Sequence, residues 1–450
     1  MKKNIDLLNG PIFTSLTRLA LPIMATSLVQ MAYNLTDMAW IGRVGAESVA
    51  AVGTAGMYTW LAQGVAMLPK MGGQIKVSHS LGEERPKEAA IYAQGALQMG
   101  MLFALLYGSI AVIFAKPLIA FFGLSDLATI ANAEIYLKIT CGAILFSYLN
   151  TILTGIFTAQ GDSKTPFLAN FIGLLVNMIL DPVLIFGIGP IPKMGVAGAA
   201  IATVTAQMIV TAVFVVATGR EKTIFCHVHL FRKTPYSYLE TITHLGLPAA
   251  IQNLLYAGIS MVLTRFVAAW GDKAVAVQRI GSQIESISWM TAEGFGAAIN
   301  SFVGQNYAAG KNSRVRKGYH AATGVMFVWG LLCTFLLIFF ARPIFSLFIN
   351  DPEILPMGID YLVVLGVSQM FMCIELTTIG ALSGMGRTFL CSVISILLTS
   401  ARIPLAILFG HSVLGLNGIW WAFTVSSVAK GIVFFICFML VSRKLTEDIR

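Results

Sequence analysis

Two aspartates lie inside long apolar stretches of the sequence, each with polar neighbours one helical turn away. The first, Asp37, follows Tyr33 by four residues and Gln30 by seven, so the three side chains share one face of a helix. A central carboxylate in a membrane helix costs about 2.5–3.5 kcal/mol on insertion scales, and it normally faces a polar cavity. Asn34, in the same stretch, is a further candidate for that cavity. The pattern indicates a proton or cation site, and an acid that snorkels to the nearby interface is the alternative.

The second aspartate, Asp181, follows Asn177 by four residues and directly precedes Pro182. Asn177 and Asp181 therefore share a helix face, while the proline leaves the carbonyl of Met178 without its usual donor and is expected to kink the helix. Carboxylate, amide and carbonyl oxygens together suit Na⁺, and a carboxylate alone could carry H⁺. An Asp-Pro cap at a helix end is the alternative.

The two aspartates are predicted to lie at similar depth in the membrane. Each aspartate lies in an apolar stretch that runs outward, and the two are nearly the same number of residues from the start of their stretches. At helical rise their depths therefore differ by about 3 Å. Thr203, in the next apolar stretch, lies in the same outer half. We therefore predict one cation-binding cluster made of Asp37, Asn177, Asp181 and Thr203.

Other acids and a base lie in apolar stretches of the second half of the chain, namely Glu285, Glu293, Glu375 and Arg402. Two interpretations remain open. One acid pairs with Arg402, or the acids line a cavity, as coupling support or to attract cationic substrates.

The sequence contains no constellation typical of an enzyme. Its six cysteines are scattered without metal-ligand spacing, and no Ser/His/Asp arrangement is evident. We expect no catalysis, no metal centre and no cofactor other than a coupling ion, with Na⁺ at the aspartate cluster as the one metal to consider.

Composition defines the class of protein. Of the 450 residues, 57% are hydrophobic and only 11% are charged, which excludes a soluble globular protein and predicts an all-α integral membrane protein. The net charge of +9 is explained by the positive-inside rule, so no nucleic-acid partner is expected. Gly, Pro and charge clusters delimit twelve spans, near 19–41, 49–69, 89–115, 127–152, 165–188, 195–218, 243–269, 275–303, 319–341, 356–383, 388–410 and 417–441.

The distribution of Lys and Arg between alternate loops places both termini in the cytoplasm, as expected for a multi-pass protein of the inner membrane. The widest polar interval, 219–242, lies halfway along the chain. We predict an amino-terminal lobe over 1–218, a cytoplasmic linker over 219–242 and a carboxy-terminal lobe over 243–450, each lobe having six helices.

The two halves are internally similar. One constant shift along the chain aligns Pro22 with Pro248 and Gly45 with Gly271, and a slightly shorter shift aligns several glycines of the later spans. Six spans per copy means that both copies enter the membrane in the same direction, an arrangement typical of transporters that alternate between inward and outward states. Asp37 aligns with Leu263, so the membrane acids of the first copy are not repeated in the second.

Several motifs resemble those of the MATE (multidrug and toxic compound extrusion) transporters. They are the segments 19–22, 33–37, 42–45, 160–166, 177–182, 195–203 and 303–306. The resemblance covers essentially the whole chain and implies twelve helices in two pseudo-symmetric lobes with cation-coupled export of amphipathic, often cationic compounds. It also implies that the cation site of the amino-terminal lobe is Asp37, Asn177, Asp181 and Thr203.

The chain departs from another branch of that family. Where that branch has an acid in its seventh helix, this chain has Tyr256, and Glu375 lies about one turn from the position of the tenth-helix acid. The amino-terminal site is therefore the predicted coupling site.

The predicted function is H⁺- or Na⁺-coupled antiport of organic cations and drugs, by a monomer in the lipid bilayer. Pro22 and Pro182 are predicted hinge positions. A lipid-linked oligosaccharide flippase of the same superfamily is the first alternative, and a polytopic membrane enzyme is the more distant one.

Overall fold

The computed structural model describes residues 5–122, 126–187, 192–348 and 351–447. Within these ranges the regular structure is helical, with one short 3₁₀ turn at Phe225–His227. The helices of the first half are α1 (Ile12–Val44), α2 (Ala46–Gly82), α3 (Pro86–Ile113), α4 (Ala115–Ala120), α5 (Leu127–Gly142), α6 (Ile144–Ala159), α7 (Lys164–Phe186) and α8 (Gly195–Arg220).

The second half repeats this order of elements. Its helices are α9 (Tyr236–Ala268), α10 (Asp272–Ala308), α11 (Asn312–Phe339), α12 (Ala341–Ser346), α13 (Leu355–Gly366), α14 (Gln369–Gly384), α15 (Thr388–Ser400), α16 (Arg402–Gly410) and α17 (Leu416–Glu447).

Each of the twelve spans predicted from the sequence falls on one of these helices or on a consecutive pair. Among the described residues, eight helical segments are long and apolar enough to cross a membrane, and two bent pairs each add one span. The bent pairs are α5 with α6, at 48°, and α13 with α14, at 46°. The remaining two spans lie within α2 and α10. These helices have 37 residues each, about 55 Å at helical rise, so they extend beyond a hydrocarbon core of about 30 Å.

Glycines form the tight connections that begin α2 and α10. Gly45 and Gly271 have φ angles of 145° and 102°, which side chains with a Cβ rarely adopt. The shift found in the sequence aligns these two glycines, so the sequence repeat is also a repeat of backbone conformation.

The chain packs as two compact units, here called the first and second packing units. The first contains Ala25–Ala250, and the second contains Asp6–Met24 together with Ile251–Arg450. Both α1 and α9 therefore divide between the units, shortly after Pro22 and Pro248 respectively. The packing units thus differ from the sequence repeats, because the first part of each of these two helices belongs to the other unit.

In the first packing unit, the segment that precedes α9 is docked on α2 and α3. Gln94 and Gln98, one turn apart on α3, both donate a side-chain hydrogen bond to the carbonyl of Arg232, at 2.8 and 2.7 Å. Gly246 approaches so closely that an added Cβ would lie 2.0 Å from the carbonyl oxygen of Leu68. The first part of α9, up to Ala250, therefore belongs to this unit.

In the second packing unit, the segment that precedes α1 is held in a similar way. Asn306 donates to the carbonyl of Leu7 at 2.9 Å, and Arg314 donates to the carbonyls of Leu7 and Gly10 at 3.1 and 2.8 Å. Leu7 is buried, with 1% of its surface exposed. The carbonyls of an otherwise irregular segment are satisfied by side chains of α10 and α11.

Candidate functional site

The candidate site lies in the first packing unit and is built on α7. Asn177 and Asp181 are four residues apart on this helix, both have no exposed surface, and Asn177 Nδ2 donates to Asp181 Oδ1 at 3.2 Å. α7 continues through Pro182 to Phe186 as one helix. The predicted pairing of amide and carboxylate on one helix face is therefore present.

α1 and α8 complete the cluster. Tyr33 on α1 donates its hydroxyl to Thr203 Oγ1 on α8 at 3.1 Å. Asp37, one turn further along α1, is partly buried and lies within electrostatic range of Asp181. The structure thus brings together Asp37, Tyr33, Asn177, Asp181 and Thr203, which come from three helices that are well separated in the sequence.

Three oxygens of this cluster have no hydrogen-bond partner among the described residues. They are Asp37 Oδ1, Asn177 Oδ1 and Asp181 Oδ2, and all three are buried. Buried polar atoms are nearly always hydrogen-bonded, so several orphaned acceptors in one place are unusual. Since an ionised carboxylate and an amide oxygen can only accept, the cluster is complementary to a cation or a proton. Within the described residues, no group of three or more His, Cys, Asp or Glu side chains forms a conventional metal site.

Tyr136 on α5 also belongs to the cluster, although the sequence reasoning did not select it. It is 7% exposed, interacts with Thr203, and lies within electrostatic range of Asp37 and Asp181. A signal was present in the sequence, because Asn132, Tyr136 and Thr140 recur every four residues in an apolar stretch.

Apolar side chains enclose the cluster. Buried residues of α1, α2, α5, α7 and α8 form one hydrophobic group around it, which includes Ile41, Ala55, Leu137, Ile185 and Ala199. Several of these residues are alanines, which allow neighbouring helices to approach closely. Electrostatic interactions between charges are stronger in such apolar surroundings than in water.

The remaining first-half candidates have distinct positions. Gln30 and Tyr33 line a small polar cavity together with Asn170 of α7 and Gln207 of α8. Asn34 lies within α1, but its side chain is outside the described part of the structure. Pro22 lies in the part of α1 that belongs to the second packing unit.

Of the three acids selected in the second half, Glu285 and Glu375 have partners in the second packing unit, whereas Glu293 on α10 is exposed. Glu285 on α10 accepts a hydrogen bond from Gln369 at 3.3 Å and lies within electrostatic range of Arg402. Glu375 on α14 forms an ion pair with Lys430 on α17, at 2.8 Å. Arg402, which one of the two sequence interpretations pairs with one acid, donates its hydrogen bonds to two serines of α17.

Lys430 was missed in the sequence, although a lone lysine inside the last apolar stretch is itself a signal. Ionisable groups within membrane spans are rare and are usually paired or functional. Its partner could not be identified from the sequence, because Glu375 lies on another helix, far from Lys430 along the chain.

Comparisons with known proteins agree with this architecture. The family model described as MatE matches the chain twice, over residues 22–183 and 248–408. The two matches begin at Pro22 and Pro248, the prolines that the sequence shift aligns. The internal duplication is therefore confirmed.

Curated relatives cover nearly the whole chain at low identity. A probable multidrug resistance protein NorM of Thermotoga maritima is 25% identical over 90% of this chain and 87% of its own length. A protein of Shewanella oneidensis named as an FAD transporter is 26% identical over 98% of this chain and 97% of its own length.

A solved structure with the same fold is that of a mutant of a Vibrio cholerae MATE transporter, VcmN. It has a TM-score of 0.89 and 20% sequence identity, and the match covers 96% of this chain and 97% of that one. This likeness confirms the predicted all-α membrane fold with twelve helices.

Proposed function

This chain belongs to the MATE family, and on that basis we propose that it exports amphipathic, cationic organic compounds in exchange for H⁺ or Na⁺. It is a multi-pass membrane transporter and not an enzyme. The observation that carries the proposal of cation coupling is the set of three buried, unpartnered oxygens contributed by Asp37, Asn177 and Asp181.

In the proposed mechanism, Asp37 and Asp181 take up the coupling ion. Two carboxylates in one apolar enclosure repel each other and lack the stabilisation that water would give them. A bound proton or Na⁺ relieves both costs, and the side-chain oxygens of Asn177 and Thr203 would complete the coordination of Na⁺. Tyr33 and Tyr136 contact Thr203, hold it in position and complete the polar cluster.

Exchange requires that ion and drug stabilise different conformations. Neither ligand has to touch the other, because each shifts the equilibrium according to its own preference for the inward or the outward state. Pro22 in α1 and Pro182 in α7 are the proposed points at which helix geometry changes when the cluster is loaded. The proposal places the protein in the inner membrane as a monomer, with both termini in the cytoplasm and lobes at 1–218 and 243–450.

Export of an anionic metabolite is the second candidate function. It is favoured by the relative named as an FAD transporter, which matches more of this chain than the multidrug relative does. A lipid-linked oligosaccharide flippase is the remaining alternative within the superfamily.

The test uses purified protein in liposomes loaded with a fluorescent organic cation. We expect efflux when a pH gradient or a Na⁺ gradient is imposed, and the gradient that drives it identifies the coupling ion. Asp37→Asn should abolish this efflux by removing the exchangeable charge, while its elution profile and thermal unfolding remain like those of the unmodified protein. Glu240→Gln, at an exposed carboxylate near the start of α9, is the matched control and should leave efflux unchanged.

Efflux of the organic cation by Asp37→Asn at the unmodified rate would contradict the proposed coupling site. Efflux of entrapped FAD, without efflux of the organic cation, would favour the second candidate function.

A further inference from the structure

The ion pair of the second packing unit is buried and directly bonded. Lys430 Nζ lies 2.8 Å from Glu375 Oε1, and the two side chains are only 7% and 5% exposed. Within the described residues, Glu375 Oε2 has no hydrogen-bond partner. The ammonium of Lys430 is therefore the direct partner that neutralises this carboxylate.

The helix contact fixes the position of the ammonium. Gly431 follows Lys430 on α17, and a Cβ at this glycine would lie 2.6 Å from the carbonyl oxygen of Phe371 on α14. Phe371 is one turn before Glu375 on the same helix. The two backbones thus approach closely at this level, and the 7% exposed lysine side chain is enclosed beside the carboxylate.

The neighbouring base does not substitute for Lys430. Arg402 is 4% exposed and donates to Ser426 at 3.1 Å and to Ser427 at 3.0 Å. It lies within electrostatic range of both Glu285 and Lys430. Glu285, Glu375, Arg402 and Lys430 thus form a group of two acids and two bases whose formal charges balance.

In the first packing unit, the equivalent helix contact is made by neutral polar side chains. α6 and α14 are counterparts of equal length, and Asn150 and Glu375 are each the seventh residue of their helix. Asn150 donates to the backbone and side-chain oxygens of Gln207 on α8, at 2.9 and 2.8 Å, and accepts from Thr211 at 2.8 Å. α8 is the first-half counterpart of α17. A neutral hydrogen-bonded network is therefore sufficient at this position, and the ion pair is a specific property of the second repeat.

We propose that the Lys430 ammonium is a built-in cation that permanently occupies the Glu375 carboxylate, so that the second packing unit takes up no cation from solution. Lys430 is in this sense a specificity-determining residue. Because it occupies Glu375, only the cluster at Asp37 and Asp181 binds coupling ions and determines how many are exchanged. This inference rests on the proposed cation-coupled export.

The test compares Lys430→Ala with the double variant E375Q/K430A, in which both charges are removed. The single variant leaves a buried carboxylate without a partner, so we expect its export rate to fall about tenfold or more and its Tm to fall clearly. Millimolar propylammonium, which carries the ammonium and most of the methylenes that the substitution removes, should restore both quantities. The double variant should export at close to the unmodified rate, with an unchanged number of coupling ions per exported molecule, and should not respond to propylammonium.

Three results would overturn the inference. The first is a folded double variant that does not export, because Glu375 would then act in the transport cycle itself. The second is a Lys430→Ala protein equal to the unmodified one in export and Tm. The third is an equal response of both variants to propylammonium. If Lys430→Ala does not fold, the export rate and ion count of the double variant decide alone.

The inference and the proposed function fail in different experiments. Export by Asp37→Asn at the unmodified rate would remove the proposed coupling site. The Tm of Lys430→Ala and its restoration by propylammonium do not depend on that result, since both report only on the pairing with Glu375.

Discussion

The two packing units bury carboxylates in opposite ways. In the first, Asp37 and Asp181 share an apolar enclosure in which oxygens remain unpartnered and, within the described residues, no base contacts them. In the second, Glu375 has its own ammonium and Glu285 lies near a guanidinium. One duplicated scaffold therefore contains a pair of buried carboxylates without a described base beside them, and a buried carboxylate that is paired with a lysine of the same chain.

The difference shows how a repeat can acquire or lose an ion-dependent function without a change of fold. Burying a charge carries a large desolvation cost, which must be offset by a partner of opposite sign. If the partner belongs to the chain, the cost is offset in every conformation. If the partner comes from solution, the balance depends on ion concentration, and this dependence is what coupling requires.

The strongest test of this contrast removes one acid from each unit. Asp181→Asn should reduce export by about 100-fold, because a carboxylate of the proposed cation site is lost. Glu285→Gln should leave export within about threefold, since Arg402 keeps its hydrogen bonds to Ser426 and Ser427. Initial rates of organic-cation efflux from liposomes measure both.

Equal losses in the two variants would break the contrast. In that case Glu285 would contribute to substrate or ion binding, as the second of the two sequence interpretations holds.

A second test concerns the packing of equivalent glycines. A Cβ at Gly380 would lie 2.2 Å from the carbonyl oxygen of Gly296, whereas a Cβ at the aligned Gly155 would lie 3.2 Å from the flexible side chain of Lys70. Gly380→Ala should therefore destabilise the protein by about 1–3 kcal/mol through forced separation of α10 and α14. Gly155→Ala should destabilise the protein less, because its Cβ contact is longer and is made with Lys70 Cγ, not with a backbone carbonyl.

Thermal unfolding in detergent measures this difference, with the unmodified chain as reference. A larger fall in Tm for Gly155→Ala than for Gly380→Ala would show that the first packing unit is the more rigid one at this contact.

The smallest expected effect concerns a pair of tyrosines at equivalent positions of the two repeats, in the alignment that matches Asn150 with Glu375. Tyr136 lies at the acidic cluster, and Tyr361 is buried against Trp420, with ring centroids 5.1 Å apart. Tyr136→Phe removes a hydroxyl from the cluster at Asp37 and Asp181, so export should fall about fivefold, equivalent to about 1 kcal/mol. Tyr361→Phe keeps the ring contact and should leave the ion dependence of export unchanged.

The ion concentration that gives half-maximal export is the quantity to compare between these two variants. A shift of that concentration in Tyr361→Phe, but not in Tyr136→Phe, would assign ion binding to the second packing unit.

Much of the candidate site could be predicted from the sequence because its signals are local. Asn177 and Asp181 are one turn apart in an apolar stretch, and Asp37 has Tyr33 one turn before it. The periodicity of a helix and the cost of a membrane-buried charge are sufficient to select them. The roles of Tyr136 and Lys430 depend on which helices pack together, and that information is not local.

The limits of the fold prediction have a similar origin. Hydropathy locates the apolar part of a helix and not its ends, so it did not show that α2 and α10 extend to 37 residues. It also did not show the bends near Ala143 and Val367, because both halves of each bent span are apolar. The docking of the segments before α1 and α9 depends on Gln94, Asn306 and Arg314, which are polar residues with no distinguishing pattern.

The division of α1 between the packing units has a consequence for biosynthesis. Residues 6–24 leave the ribosome well before residues 251–450, yet they pack with them. At about 5–20 residues per second, on the order of 10–50 s elapse before those partners begin to emerge. Residues 6–24 must therefore remain in the translocon or the lipid for that time without their packing partners. A chain cut within 219–242 would separate each fragment from a part that its fold requires.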